Sequence, residues 1–209
     1  MSKNNKHKLI ASKKILLILI SLLFLSLLLI NKAQLFNTFL PMSVEKIPMK
    51  VYYEKKSGWK MSYPADMKVV SSPVKERVID PDAIGNAVDF WIYGPTQNEG
   101  TEFHDGLFIT IFTANKNPDT NLKEFADQKS KYNQGNSTYP VTRLLANGIS
   151  GYQFLNPEYG RTLNIFLPYE DREDKVLIMY IVSEGKYKNN YDNIYKNMLE
   201  AFSFVRDSD

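Results

Sequence analysis

Four short stretches of this 209-residue chain have residue types and spacing that could do chemistry. "TEFHDG" sets Glu102, His104 and Asp105 within four positions, nitrogen and oxygen donors of the kind that hold a divalent metal. "DPDAIGN" spaces Asp80, Asp82, Gly85 and Asn86 like the opening of a calcium loop. Its twelfth position, where a glutamate should close the loop, is Trp91, and Ile84 occupies a ligand place, so an ordinary turn is expected. Glu170, Asp171, Glu173 and Asp174 could supply the two carboxylates of a glycoside hydrolase. They crowd one connection around Arg172, which reads as a charged hairpin tip. Gly148-Ile149-Ser150-Gly151 is one residue short of a nucleophile elbow. Its only candidate base, His104, precedes it, the reverse of the hydrolase order; the other histidine is His7.

The "TEFHDG" cluster lacks a second ligand group nearby and reads as a solvated loop. No catalytic residue, metal site or cofactor is therefore expected. The competing reading is a carboxylate- or metal-dependent hydrolase of envelope material, which would turn on His104. A recognition role rests instead on Tyr132, Tyr139 and Tyr159, which flank polar connections rich in glycine and asparagine. Tyrosine offers amphipathic contact area at small entropic cost, which suits a partner protein or a polysaccharide. Asn136-Ser137-Thr138 fits a glycosylation acceptor, relevant only in a host with that machinery.

Charge narrows the classes further. The formal net charge is +3, from 26 basic and 23 acidic residues. Six of the basic residues precede Gln34, whereas the first acidic one is Glu45, so the chain beyond Gln34 carries 20 basic and 23 acidic residues, a net of −3. A nucleic-acid binder needs positive charge on the domain that docks, and none is expected here. Cysteine is absent. That removes disulfides, thiolate metal sites, a cysteine nucleophile and the lipidated cysteine of a bacterial lipoprotein.

"ILLILISLLFLSLLLI" runs from Ile15 to Ile30 almost without a polar residue. As a helix it rises about 24 Å at ~1.5 Å per residue, and Lys32-Ala33 with snorkelling lysines extends it toward the ~30 Å hydrocarbon core. The best cleavage site, Asn31-Lys32-Ala33, places asparagine where a small residue is needed, so an uncleaved anchor is expected over a removed leader. A cleaved and secreted accessory protein is the alternative. Five lysines precede the span and one follows it, which puts the N-terminus in the cytoplasm and the rest outside. The organisation is then a basic tail (1–14), a transmembrane signal anchor (15–33), a juxtamembrane linker (34–48) and one extracytoplasmic domain (49–205). Leu35, Phe36, Phe39 and Leu40 rest in the outer interface before Pro41 ends the segment.

The domain reads as strands with two helices. "WKMSY" alternates as a half-buried strand, and "MKVV", "VDFWIY" and "LFITIFT" follow it. Asn121 with Glu124 three residues on forms the capping signature of a helix in "NLKEFADQKSKY". Asn147-Gly148 joins "VTRLLA" to "ISGYQF" as a hairpin. "RTLNIFL" leads through the acidic loop to "KVLIMYIV", apolar on both faces and hence central. A last helix spans about Tyr187 to Phe202, with Tyr191, Ile194 and Met198 on one stripe. A sheet with a doubly apolar centre needs cover on each face, which two helices can give.

Met61-x-Tyr63-Pro64-x-x-Met67-x-Val69 resembles the early motif of PsbP-like domains, with Met67 where tryptophan is usual. "MLEAFSFV" resembles their closing motif, with Ala201 in a serine place. The resemblance, to the PsbP, DcrB and LpqN type, covers roughly Met49 to Val205. It implies an α+β fold: an antiparallel sheet sandwiched by helices, exported, often tethered, and binding or assisting rather than catalysing. No site residue carries over, because the matching positions are core and turn residues.

Overall fold

The computed structural model describes residues 48–98, 100–131, 139–157, 161–169 and 172–205. The expected anchor at 15–33, the expected linker up to residue 47, Tyr132, Tyr159, Glu170, Asp171 and the expected 136–138 acceptor lie outside them. Residues 48–209 form one compact unit. Among the described residues no helix is long and apolar enough to cross a membrane.

Among the described residues the unit has ten strands, two α-helices and one short 3-10 helix, Val74–Glu76. The strands are β1 (Met49–Glu54), β2 (Trp59–Pro64), β3 (Lys68–Pro73), β4 (Ala83–Tyr93), β5 (Gly106–Asn115), β6 (Thr142–Ala146), β7 (Ile149–Asn156), β8 (Thr162–Pro168), β9 (Lys175–Glu184) and β10 (Ser203–Phe204). The helices are α1 (Leu122–Lys131) and α2 (Lys188–Glu200). Seven strands pair antiparallel in the order β3-β4-β5-β9-β8-β7-β6, and β1-β2-β10 form a second, smaller sheet.

β9 takes the centre of the large sheet, as its unbroken apolar run requires: Val176, Leu177, Ile178 and Met179 are all fully buried. Alternate residues divide between two cores. Val88, Phe90, Leu107, Ile109, Leu177 and Met179 face one way, against Trp59 and Met61 of β2 and Met198, Leu199 and Phe202 at the α2 end. Ala87, Phe112, Val176, Ile178 and Phe166 face the other, against Phe125 and Ala126 of α1. The first face is covered by α2 together with the small sheet, which sequence periodicity had not separated out, and α1 covers part of the second. Tyr52 and Tyr63 bridge the sheets through Phe90, with ring centroids 5.6 and 5.3 Å away.

Local chemistry sets the connections. The Asn121 side chain accepts the Glu124 N–H at 2.9 Å and Glu124 accepts the Asn121 N–H at 3.2 Å, a complete capping box at the start of α1. Asn147 (φ 46°) and Gly148 (φ 81°) turn β6 into β7 with two left-handed residues, as a tight hairpin demands. β4 begins at Ala83, five residues before its alternation becomes visible, because a bulge between Ile84 and Ala87 interrupts the register.

Candidate functional site

The ends of β4 and β9 and the start of β5 lie side by side, joined by the 94–105 loop. Asp105 is the peg at its root. It is buried, and its Oδ2 accepts the Thr96 N–H at 3.0 Å and the Thr96 hydroxyl at 2.7 Å. Gly94 and Gly185 press against the carboxylate from two sides, and a Cβ on either would overlap it. Burial pushes the Asp105 carboxyl up, but the Thr96 bonds and the His104 charge prevail and hold it below the usual range. On α2, burial and then the Asp105 charge push the Tyr191 phenol up.

Gln97 knits the rest of the loop. Its Oε1 accepts the N–H groups of His104 (2.8 Å) and Asp105 (3.1 Å), while Nε2 donates to Asn98 O (3.0 Å) and Thr101 Oγ1 (3.1 Å). His104 places Nδ1 3.0 Å from the Glu102 carbonyl and Nε2 3.0 Å from that of Thr96. A carbonyl oxygen only accepts, so this pair of contacts favours the doubly protonated ring, in which both nitrogens donate. The Glu102 and then the Thr96 carbonyl accordingly raise its pKa. Both ring nitrogens face carbonyl oxygens of the loop itself. Asp105 and His104, the core of the "TEFHDG" cluster, are loop fasteners here.

Beside this loop lies a shallow depression of about 510 Å³ lined by Thr101, Glu102, Phe103, His104 and Glu184. From Phe103 a row of rings crosses the sheet. Phe103 lies 6.4 Å from Tyr93 and 6.2 Å from Phe108, and Phe108 lies 6.3 Å from Trp91. Trp91 and Phe108 are cross-strand partners, so they share one face of the large sheet, the face that α1 covers elsewhere. Ten helical residues extend only about 15 Å, whereas seven strands at ~4.8 Å spacing span about 29 Å. α1 packs on β7 and β8 and the short 3-10 helix Val74–Glu76 packs on β4, so what lies beyond the second core is the Trp91–Phe108 end of β4 and β5, where both rings are only half-buried. Trp91, Phe103 and Phe108 are half-buried there and Tyr93 is exposed, with Lys68 Nζ 5.9 Å from its ring centroid. The buried Trp91 indole N–H makes no hydrogen bond among the described residues.

The other sequence candidates go elsewhere. Asp80 and Asp82 hold the Lys129 ammonium at 2.7–2.9 Å, and Tyr180 adds a hydroxyl to Asp80 at 3.2 Å. Where a calcium loop would place its ion, these two carboxylates bolt α1 to the turn before β4. Burial, then Asp80, drive the Tyr180 phenol far upward. Asp89 is likewise absorbed, by Arg77 (2.8 Å) and the Thr110 hydroxyl (2.8 Å). Glu173 and Asp174 are exposed, with Arg172 3.8 Å from Asp174. Ser150 is exposed on β7. Tyr139 is half-buried and stacks on Phe154 at 6.3 Å. Among the described residues no three histidine or carboxylate side chains converge as a metal site. The aromatic row escaped the sequence reading because "VDFWIY" and "LFITIFT" look like core; the available signal was aromatic residues at alternate positions 91 and 93, opposite 108.

No protein-family model matches the chain, and no curated protein matches it. Among solved structures it is similar to the solution structure of cyanobacterial PsbP (CyanoP) from Synechocystis sp. PCC 6803. Sequence identity is 12%, the TM-score is 0.48, and 78% of this chain and 96% of that one are covered. The likeness is one of fold alone. The architecture of this chain rests on its own strand pairing.

Proposed function

We propose that this chain is a single-pass, membrane-tethered binding module. Residues 15–33 anchor it, and the domain outside the bilayer binds a partner protein or envelope component without catalysis. The observation that carries the reading is the Trp91–Phe108–Phe103–Tyr93 row, half-exposed on a sheet face that α1 is too short to cover. Such rings give contact area at small entropic cost, and Glu102 and Glu184 at the depression supply hydrogen-bond acceptors beside them. The engagement of His104 and Asp105 in the loop's own bonds supports binding over hydrolysis. The tether rests on the apolar run and its flanking lysines.

The test is photo-crosslinking in intact cells from a reactive residue at Tyr93, compared with one at the fully exposed Val78. A discrete adduct from position 93, absent from 78 and lost on Phe103→Ala, is expected. Identical adduct patterns from both positions would remove the aromatic row from the account.

A further inference from the structure

The outer face of the small sheet carries features the core does not need. Among the described residues β1 is an edge strand, paired with β2 alone. Its outward positions are apolar and open, with Met49 49%, Val51 64% and Tyr53 45% exposed. An apolar row on a free edge is a liability unless something covers it. Lysines flank it: Lys60 is the cross-strand partner of Tyr53 on the same outer face, Lys55 and Lys56 are exposed at the turn, and Lys50, exposed on the alternate side of β1, donates to the Ala65 carbonyl at 3.1 Å. The one acid of this hairpin, Glu54, points inward, buried under the Tyr52 hydroxyl. Residues 48–64 thus hold four basic residues and one acidic, a net of +3, whereas 65–209 hold 15 basic and 21 acidic, a net of −6. Nearby acids are Asp66 and the 172–174 loop, which reaches the β1–β2 turn where the Tyr169 hydroxyl donates to the Ser57 carbonyl. Asp66 follows Ala65, whose carbonyl accepts from Lys50 Nζ at 3.1 Å, so it partly offsets Lys50, while the 172–174 loop lies toward the turn that carries Lys55 and Lys56.

We infer that this face docks on the anionic lipid surface of the bilayer into which residues 15–33 insert, an inference that rests on the tether proposed above. The fourteen residues from 34 to 47 reach at most about 50 Å even fully extended, so the tether holds β1 near that surface. Apolar side chains ringed by lysines match an anionic interface, where the apolar groups enter the headgroup boundary and the ammonium groups meet phosphates. A second copy fits less well, because a two-fold contact through β1 would set like-charged lysines against each other. Docking in this way turns the aromatic row, on the opposite face of the large sheet, away from the bilayer.

The chain has no cysteine, so a single introduced one takes a unique spin label. The full chain is reconstituted in phosphatidylcholine/phosphatidylglycerol vesicles with labels at Leu23→Cys, Val51→Cys or Lys131→Cys. The expected result is lipid-like oxygen accessibility at 23 and 51 and aqueous accessibility at 131 on α1. The signal at 51 alone should revert to aqueous in pure phosphatidylcholine, or at 1 M salt, where charges are screened within about 3 Å. A lipid-like 23 with an aqueous 51 overturns the docking and leaves the tether standing. An aqueous 23 overturns both. Dipolar broadening between labels at 51 would show a second copy on the strip, and a lipid-like 131 would show the opposite face down; either result overturns the docking.

Discussion

Asp105→Ala is the substitution through which the loop geometry speaks most plainly. It removes two hydrogen bonds to a charged acceptor, from the Thr96 N–H and hydroxyl. Each is worth about 1.5–3 kcal/mol. Together they come to about 3–6 kcal/mol; Thr96 is exposed, so water recovers roughly half of that, leaving about 2–3 kcal/mol in all. Urea unfolding followed by Trp59 and Trp91 fluorescence should then show a midpoint lower by about 1 M, for a slope near 2 kcal/mol per molar. Thr96→Val, which keeps the backbone bond, should lose about half as much and should cost little once Asp105 is already alanine. The pH dependence has a definite sign. The folded carboxyl is held below its ordinary value, so wild type should keep its full advantage above about pH 4 and lose it as pH falls toward the folded value. The reasoning is refuted if Asp105→Ala costs less than Thr96→Val, or if the advantage grows on acidification.

Three further outcomes follow from the same contacts. The His104 ring should titrate above the ordinary histidine value of about 6.5 in an NMR titration. Its contribution to loop order should be complete below that value and fade as pH rises through the raised one; a depressed value would contradict the two-carbonyl geometry. Lys129→Met strands the buried Asp80 carboxylate, which keeps only the Tyr180 hydroxyl and the Asp82 N–H, so a loss of about 3 kcal/mol is expected in urea unfolding. Adding Asp80→Asn should recover part of it. Asn121→Ala opens the capping box at the start of α1 and should cost about 1 kcal/mol, with Asn121→Ser nearly neutral, both read from the thermal midpoint.

Features that depend on neighbours in the chain were legible beforehand. The capping box of Asn121 and Glu124 and the Asn147-Gly148 turn are local, and each formed as read. The central place of β9 was legible for a different reason: burial on both faces leaves no polar alternation to misread. β1 was not singled out because its pattern is inverted, with Met49, Val51 and Tyr53 outward and Glu54 inward. β10 is two residues long, below any periodic signal. The aromatic row was invisible because exposure at Trp91 and Phe108 depends on how far α1 reaches across the sheet, a tertiary quantity. The "TEFHDG" cluster was visible as residue types, but its engagement with Thr96 and Gln97 required the fold of the loop.

The central claim is that the domain stands beyond the bilayer on its own tether. Lys131 is exposed on α1, far in sequence from residues 15–33, and the chain has no native cysteine to confuse the signal. Lys131→Cys in intact cells, treated with a membrane-impermeant maleimide, should label fully before lysis and gain nothing after it. Labelling that appears only after the cells are broken would place the domain on the cytoplasmic side and contradict the account.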